Sequence, residues 1–174
     1  MLNATVYNGD TLNMFAKITP RFIFLSSAQD SIDKEIIMCV LSDEIDSKKV
    51  LNFIGHIENQ YSHGIKSMPI HIINTSYKNL QSKKSKSCEK AQLIFLFNSS
   101  DENINDVVNY AKIHTILTAS YDVALLEKGV DISLFIGRRI VPYINTESIK
   151  DKGITLNHLI LRLSKIFTMR SKKH

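Results

Sequence analysis

The chain has 174 residues, 44% of them hydrophobic and 22% charged, with a formal net charge of +5. That length buries a core without staples, and that composition is globular, which excludes a globally disordered chain. The positive excess sits at Lys83, Lys84, Lys86 and Lys90 in a Lys/Ser-rich stretch and at Arg170, Lys172 and Lys173 in the tail. A nucleic-acid footprint needs cations clustered on one face, so no nucleic-acid partner is expected.

In chain order, residues 11–27 read as an apolar, aromatic helix that Pro20 ends or kinks. Residues 36–41 are a continuous apolar run, as in a strand buried on both faces. Cys39 in that run reads as a buried thiol, and Cys88 falls in a polar loop; the pair demands no disulfide framework and leaves one bridge open. Asp46 or Ser47 can cap the next helix, whose stripe is Val50, Phe53, Ile54 and Ile57. Residues 69–73 form a strand, 76–90 the least ordered-looking stretch, and 91–97 another strand. A helix follows through Ile104, Val107, Val108 and Ala111. Residues 115–117 are placed as a strand, and Ser120 as the cap of a helix ended by Gly129. Gly137-Arg138-Arg139 then turns a hairpin between 132–136 and 140–144. Finally Leu156, Leu159, Ile160, Leu163, Ile166 and Phe167 share one helical face.

Strands alternating with helices imply right-handed crossovers. The fold class expected is α/β: a mostly parallel central sheet with an added C-terminal β-hairpin and helices on both faces, in three layers. Residues 1–174 form one domain, with 1–10 and 168–174 as flexible ends. No apolar run is long enough to span a membrane, and the first residues carry no export signal.

Motifs for chemistry are missing. His56, His63 and His71 fall on a helix, a loop and a strand, at spacings that match no compact metal site. The six glycines form no phosphate loop, and there is no nucleophile elbow or Cys-x-x-Cys pair. A phosphoryl-receiving domain needs a nucleophilic aspartate after its third strand, where this chain has Asn98; at most a degenerate receiver remains. No catalytic residue, cofactor or metal is therefore expected. Contact residues are expected instead. Phe15, Phe22 and Phe24 make the opening helix more apolar than a covering helix needs. Arg138 and Arg139 at the hairpin tip can grip an anion. A ligand of this sheet would lie at its carboxyl edge, near Ser42, Asn74, Asn98 and Ser120.

The order of turns carries a resemblance. Leu117-Thr118-Ala119-Ser120, Lys128-Gly129, Ile132–Phe135, Gly137-Arg138, Ile144-Asn145, Lys152-Gly153-Ile154 and the leucine-rich residues 156–167 resemble the C-terminal half of the YfiR-type family of small bacterial periplasmic regulatory proteins. Phe15-Ala16-Lys17-Ile18, Phe22 and residues 37–41 are similar to that family's opening helix and first strand. The tryptophan-proline pair common after the family's opening helix is absent, as the chain has no tryptophan. The resemblance implies a non-enzymatic periplasmic regulator or sensor, dimeric, with its export signal outside the sequence given. It would bind a membrane-bound signalling protein, a diguanylate cyclase or sensor kinase, and so control cyclic-di-GMP and biofilm. The alternative readings are a small-ligand sensor domain of a larger signalling protein and a degenerate receiver-like domain. The family often carries disulfides, and Cys39 with Cys88 would be at most a different pairing.

Overall fold

The structure, a computed structural model, describes residues 7–82 and 86–168. Lys83, Lys84, Arg170, Lys172 and Lys173 lie outside the described residues, as do 1–6 and 169–174 of the expected flexible ends. In chain order the described elements are α1 (Gly9–Ile18), β1 (Ile36–Ser42), α2 (Ser47–Gln60), β2 (Ile70–Ser76), α3 (Tyr77–Gln81), β3 (Leu93–Leu96), α4 (Asp101–His114), β4 (Leu117–Ser120), β5 (Ile132–Ile136), β6 (Ile140–Asn145), α5 (Thr146–Asp151), α6 (His158–Leu163) and β7 (Lys165–Phe167).

The strands make one seven-stranded sheet in the order β2-β1-β3-β4-β5-β6-β7. All neighbours are parallel except β5 and β6, which form the expected hairpin with Ile136 opposite Ile140. The continuous apolar runs of β1 and β3 follow from burial on both faces. One face packs Met38, Val40, Phe95 and Leu117 against α1 and α2 through Phe15 and Phe53. The other packs Leu41, Ile94 and Leu96 against α3 and α4 through Tyr77, Ile104 and Val107. The three-layer α/β architecture is the one expected.

Three expectations are corrected. Cys39 is not a free thiol: β1 and the 3₁₀ turn Lys86–Lys90 bring it to a bridge with Cys88, Cα to Cα 6.0 Å, and both residues are buried. The strand expected at 115–117 runs from Leu117 to Ser120, because Thr115 takes a left-handed φ of 56° that ends α4. Ser120 is therefore inside β4, and Asp122 caps the following 3₁₀ turn Val123–Lys128, which closes on Gly129 at φ 100°. Lastly, the helical face expected over 156–167 divides: α6 stops at Ser164, whose extended backbone starts β7 alongside β6.

An interior ion pair ties the hairpin to the sheet. Lys152 Nζ lies 2.5 Å from Asp131 Oδ2, with both side chains almost fully buried. The same oxygen accepts from the Thr118 amide and hydroxyl, and Oδ1 accepts from the Ser148 hydroxyl. Lys152 also donates to the Ile116 carbonyl. A buried charge is tolerated when every lone pair and proton is used in this way.

Candidate functional site

In open sheets of this kind ligands sit beyond the carboxyl ends of the strands, where the strand order reverses. Here the chain passes from β1 outward to β2 and then back across to β3, so the switch lies between β1 and β3. Asp43 follows β1 and Asn98 and Ser99 follow β3; the Ser99 hydroxyl donates to Asp43 Oδ2 at 2.7 Å and bridges the two strands. Asn103 of α4 donates to Ser99, and Asn98 Nδ2 donates to Asp122 beyond β4.

Tyr7 fills the space above. It is 6% exposed, its phenol oxygen accepts the Asn98 amide at 2.7 Å, and its ring packs on Phe97 and Tyr121. Burial pushes the Tyr7 phenol well above its ordinary range, with the Asp46 and Asp122 carboxylates adding to the rise and the Asn98 hydrogen bond opposing it. Beside it, burial and the neighbouring Asp43 raise Asp46 above its usual value, which Lys49 partly offsets. The carboxyl edge is thus an acidic, aromatic crevice already occupied by the chain itself.

The hairpin corner is different. α6 packs Ile160 inward but leaves Leu159 and Leu163 exposed. β7 begins beside Tyr143, so Lys165 comes within a few residue rows of the tip that carries Arg138 and Arg139. Phe135 stacks on Tyr143 at 5.8 Å, and Lys165 lies over the same Tyr143 ring. Among the described residues, five of the nine exposed large apolar residues lie on the hairpin, α6 and β7: Phe135, Ile140, Leu159, Leu163 and Ile166. Residues 132–145 and 152–168 contain no aspartate or glutamate at all.

The expected contact residues do not meet in one place. Phe15 and Phe22 are 2% exposed and belong to the core, so the opening helix offers neither to a partner; its apolar excess reflects a helix buried against α2 and the sheet. Phe24 is half-buried beneath the Lys66 ammonium. Ser120 is fully buried and spends its hydroxyl on the Asp122 carbonyl. Arg138 and Arg139 sit in the exposed turn between β5 and β6. Of the carboxyl-edge residues, Ser42 is buried and Asn74 lies exposed on the outermost strand. Tyr7 was not singled out by sequence, although it precedes the Asn8 cap of α1 and joins Leu12 in the core, the pattern of a hydrophobic staple.

At the opposite, amino edge a cleft of about 800 Å³ is lined by Asp30, Lys34, Glu89, Lys90, Gln92 and His114 among others. Its charges are mixed, and the Gln92 amide is fully engaged with Ser31, Lys90 and Ile37. Among the described residues no group of three or more His, Cys, Asp and Glu is placed to hold a metal ion. No helix there is long and apolar enough to cross a membrane.

Comparison with known proteins agrees with this architecture. A family model described as YfiR/HmsC-like matches residues 16–165. No curated protein matches the sequence. A crystal structure of a conserved domain protein from Vibrio cholerae O1 biovar El Tor is similar at TM-score 0.65 and 11% identity, over 90% of this chain and 60% of that one. The ABC domain from Streptococcus pneumoniae in complex with L-Trp gives 0.58 at 12% identity, over 91% of this chain and 59% of that one. The ligand-free, open structure of CD0873, a substrate binding protein with adhesive properties from Clostridium difficile, gives 0.60 at 9% identity, over 87% and 60%. At such identities the likeness is one of fold, and this chain spans about three-fifths of the length of those solved chains.

Proposed function

This chain belongs to the YfiR/HmsC-like family, a regulatory rather than catalytic group of periplasmic proteins tied to cyclic-di-GMP signalling, and from that membership we propose that it restrains a membrane-bound signalling protein by direct contact. The observation that carries the reading is the hairpin corner. Phe135 shares one sheet face with Tyr143 and Lys165. Ile166 lies on the other face, toward α6 with its exposed Leu159 and Leu163. Arg138 and Arg139 carry the tip of the hairpin, and residues 132–145 and 152–168 hold no carboxylate. Exposed apolar side chains rimmed by charge mark an interaction surface. Its uniform sign selects an acidic face on the partner and steers encounter.

The membrane partner proposed is a diguanylate cyclase or a sensor kinase, and the protein is proposed to act in the periplasm as a homodimer. Capture of inner-membrane proteins on the immobilised chain tests the contact, and sedimentation tests the dimer. The wild type should retain a signalling protein that the double variant Arg138→Glu/Arg139→Glu loses. Deletion of the gene should change cellular cyclic-di-GMP. Equal capture by the two proteins, or unchanged cyclic-di-GMP, would sink the proposal.

A second reading, a small-ligand sensor domain within a longer protein, draws support from the crevice at the strand switch. It also draws on the likeness in fold to a substrate binding protein longer than this chain.

A further inference from the structure

Tyr7 lies outside every helix and strand, yet it is 6% exposed. Its position is the one that sheets of this topology reserve for ligands, directly over the β1/β3 switch. The Asn98 amide that its phenol engages lies just beyond β3, pointing out of the sheet where a bound hydroxyl would be met. Phe97 and Tyr121 flank the ring at 5.0 and 4.8 Å, and Phe15 backs Tyr121 at 5.2 Å. These walls are in place without Tyr7, since Phe97 and Phe15 are held by Phe95 and Phe53.

Besides its ring contacts and its place beside Leu12, the chain around Tyr7 is held by few polar bonds. Lys49 donates to its carbonyl at 3.2 Å and lies over its ring at 5.4 Å, and the Asn8 amide donates to the Tyr121 hydroxyl. The helix start is secured one residue further on, where the Asn8 carbonyl accepts from the Leu12 amide and its side chain from the Thr11 amide. Lys49 itself is exposed, so its hold is screened by solvent.

We propose that the crevice over the β1/β3 switch is a binding site for a small hydroxyaryl compound, and that Tyr7 is its tethered internal occupant, displaced when the ligand enters. Asp43, Asp46 and Asp122 lie about the mouth, with the ammonium of Lys49 opposing them. A cationic tail on the ligand is therefore accepted and an anionic one rejected. The hydroxyl enters neutral and accepts from Asn98, as that of Tyr7 does. The inference does not rest on the family assignment, and it survives if no protein partner is found.

The test uses tyramine and 3-(4-hydroxyphenyl)propionate as probes, titrated into the whole chain and followed by amide NMR. Freeing a site from an internal competitor raises apparent affinity by the factor by which the open state is enriched. Tyramine should bind Tyr7→Ala at least about tenfold more tightly than wild type, and Lys49→Ala several-fold more tightly. In each case the Asn98 amide resonance should shift, and the propionate should bind far more weakly. Equal affinity in all three proteins, or binding that leaves the Asn98 amide unmoved, overturns the proposal. So does a propionate affinity matching that of tyramine. Lys49→Ala leaves the core intact, so it decides the matter if Tyr7→Ala does not fold.

Discussion

Lys152 and Asp131 form an ion pair at 2.5 Å inside the protein, joining the residue after α5 to the residue before β5. Around it Thr118, Ser148 and the Ile116 carbonyl use the remaining polar atoms, so β4, β5 and α5 converge on one carboxylate. Removing one partner leaves the other charge buried and uncompensated. Asp131→Asn and Lys152→Met should each cost about 3–5 kcal/mol in chemical denaturation. The double variant should lose clearly less than the sum. Additive losses would mean that the two groups act separately.

The Cys39–Cys88 bridge closes a loop of 49 residues between the centre of the sheet and the 3₁₀ turn Lys86–Lys90. Loop closure of that size is worth about 4 kcal/mol through the unfolded chain. Cys39→Ala/Cys88→Ala should lower the denaturation midpoint by a corresponding amount. Reduction of the wild type should do the same, with the secondary structure seen by circular dichroism retained.

Acid pH gives a sign that can be checked. Burial and Asp43 raise Asp46 in the folded state above its ordinary 3.8. A group raised on folding contributes stability that is full below its unfolded value and is lost as pH rises through the folded one. Asp46→Asn should therefore be more stable than wild type at neutral pH, by roughly a few tenths of a kcal/mol given solvent screening. The advantage should vanish below pH 3.8. A variant less stable than wild type at neutral pH would contradict this.

Alkaline pH probes the other end of the scale. Burial raises Tyr7, Tyr77 and Tyr110 above the ordinary 10.0, with Tyr7, Asp43 and Asp46 adding to the rise at the deeply buried Tyr77. Their protonated forms stabilise the fold below pH 10.0, and that contribution is lost as pH climbs through the raised values. Phenolate absorbance should thus rise in two stages, with the second coinciding with loss of tertiary structure. A single smooth titration in the folded state would argue that these rings are open to water.

Much of the sheet was legible in the sequence, because runs such as 36–41 and 91–97 are buried on both faces and so are apolar throughout. The hairpin about Arg138 and Arg139 was legible for its turn. Thr118 and Ser120 hid the extent of β4, since a polar residue reads as surface; here Asp131 and the Asp122 carbonyl satisfy them inside. Leu159 and Leu163 kept a helical period that suggested core, whereas the fold leaves them exposed beside the hairpin. The bridge partner of Cys39 depends on where a loop returns over the sheet, which no local pattern encodes. Tyr7 escaped notice for a similar reason: a single aromatic ahead of a helix cap gains meaning only from the strand ends that it covers.

The loop after α1 and the loop after α5 are sewn together. Ser26 and Leu156 form an antiparallel bridge, Ser27 and Asn157 donate to the carbonyls of Thr155 and Leu25 at 2.8 Å, and the Thr155 amide donates to the Ser27 hydroxyl across 128 positions. Nothing emerging early from a ribosome can satisfy those groups, so the loop trailing the opening helix is closed only once the segment after α5 is made. Folding is thereby a late and collective event, paced by contacts of long sequence separation. A pull that parts the loop after α1 from the loop after α5 is borne by that short seam.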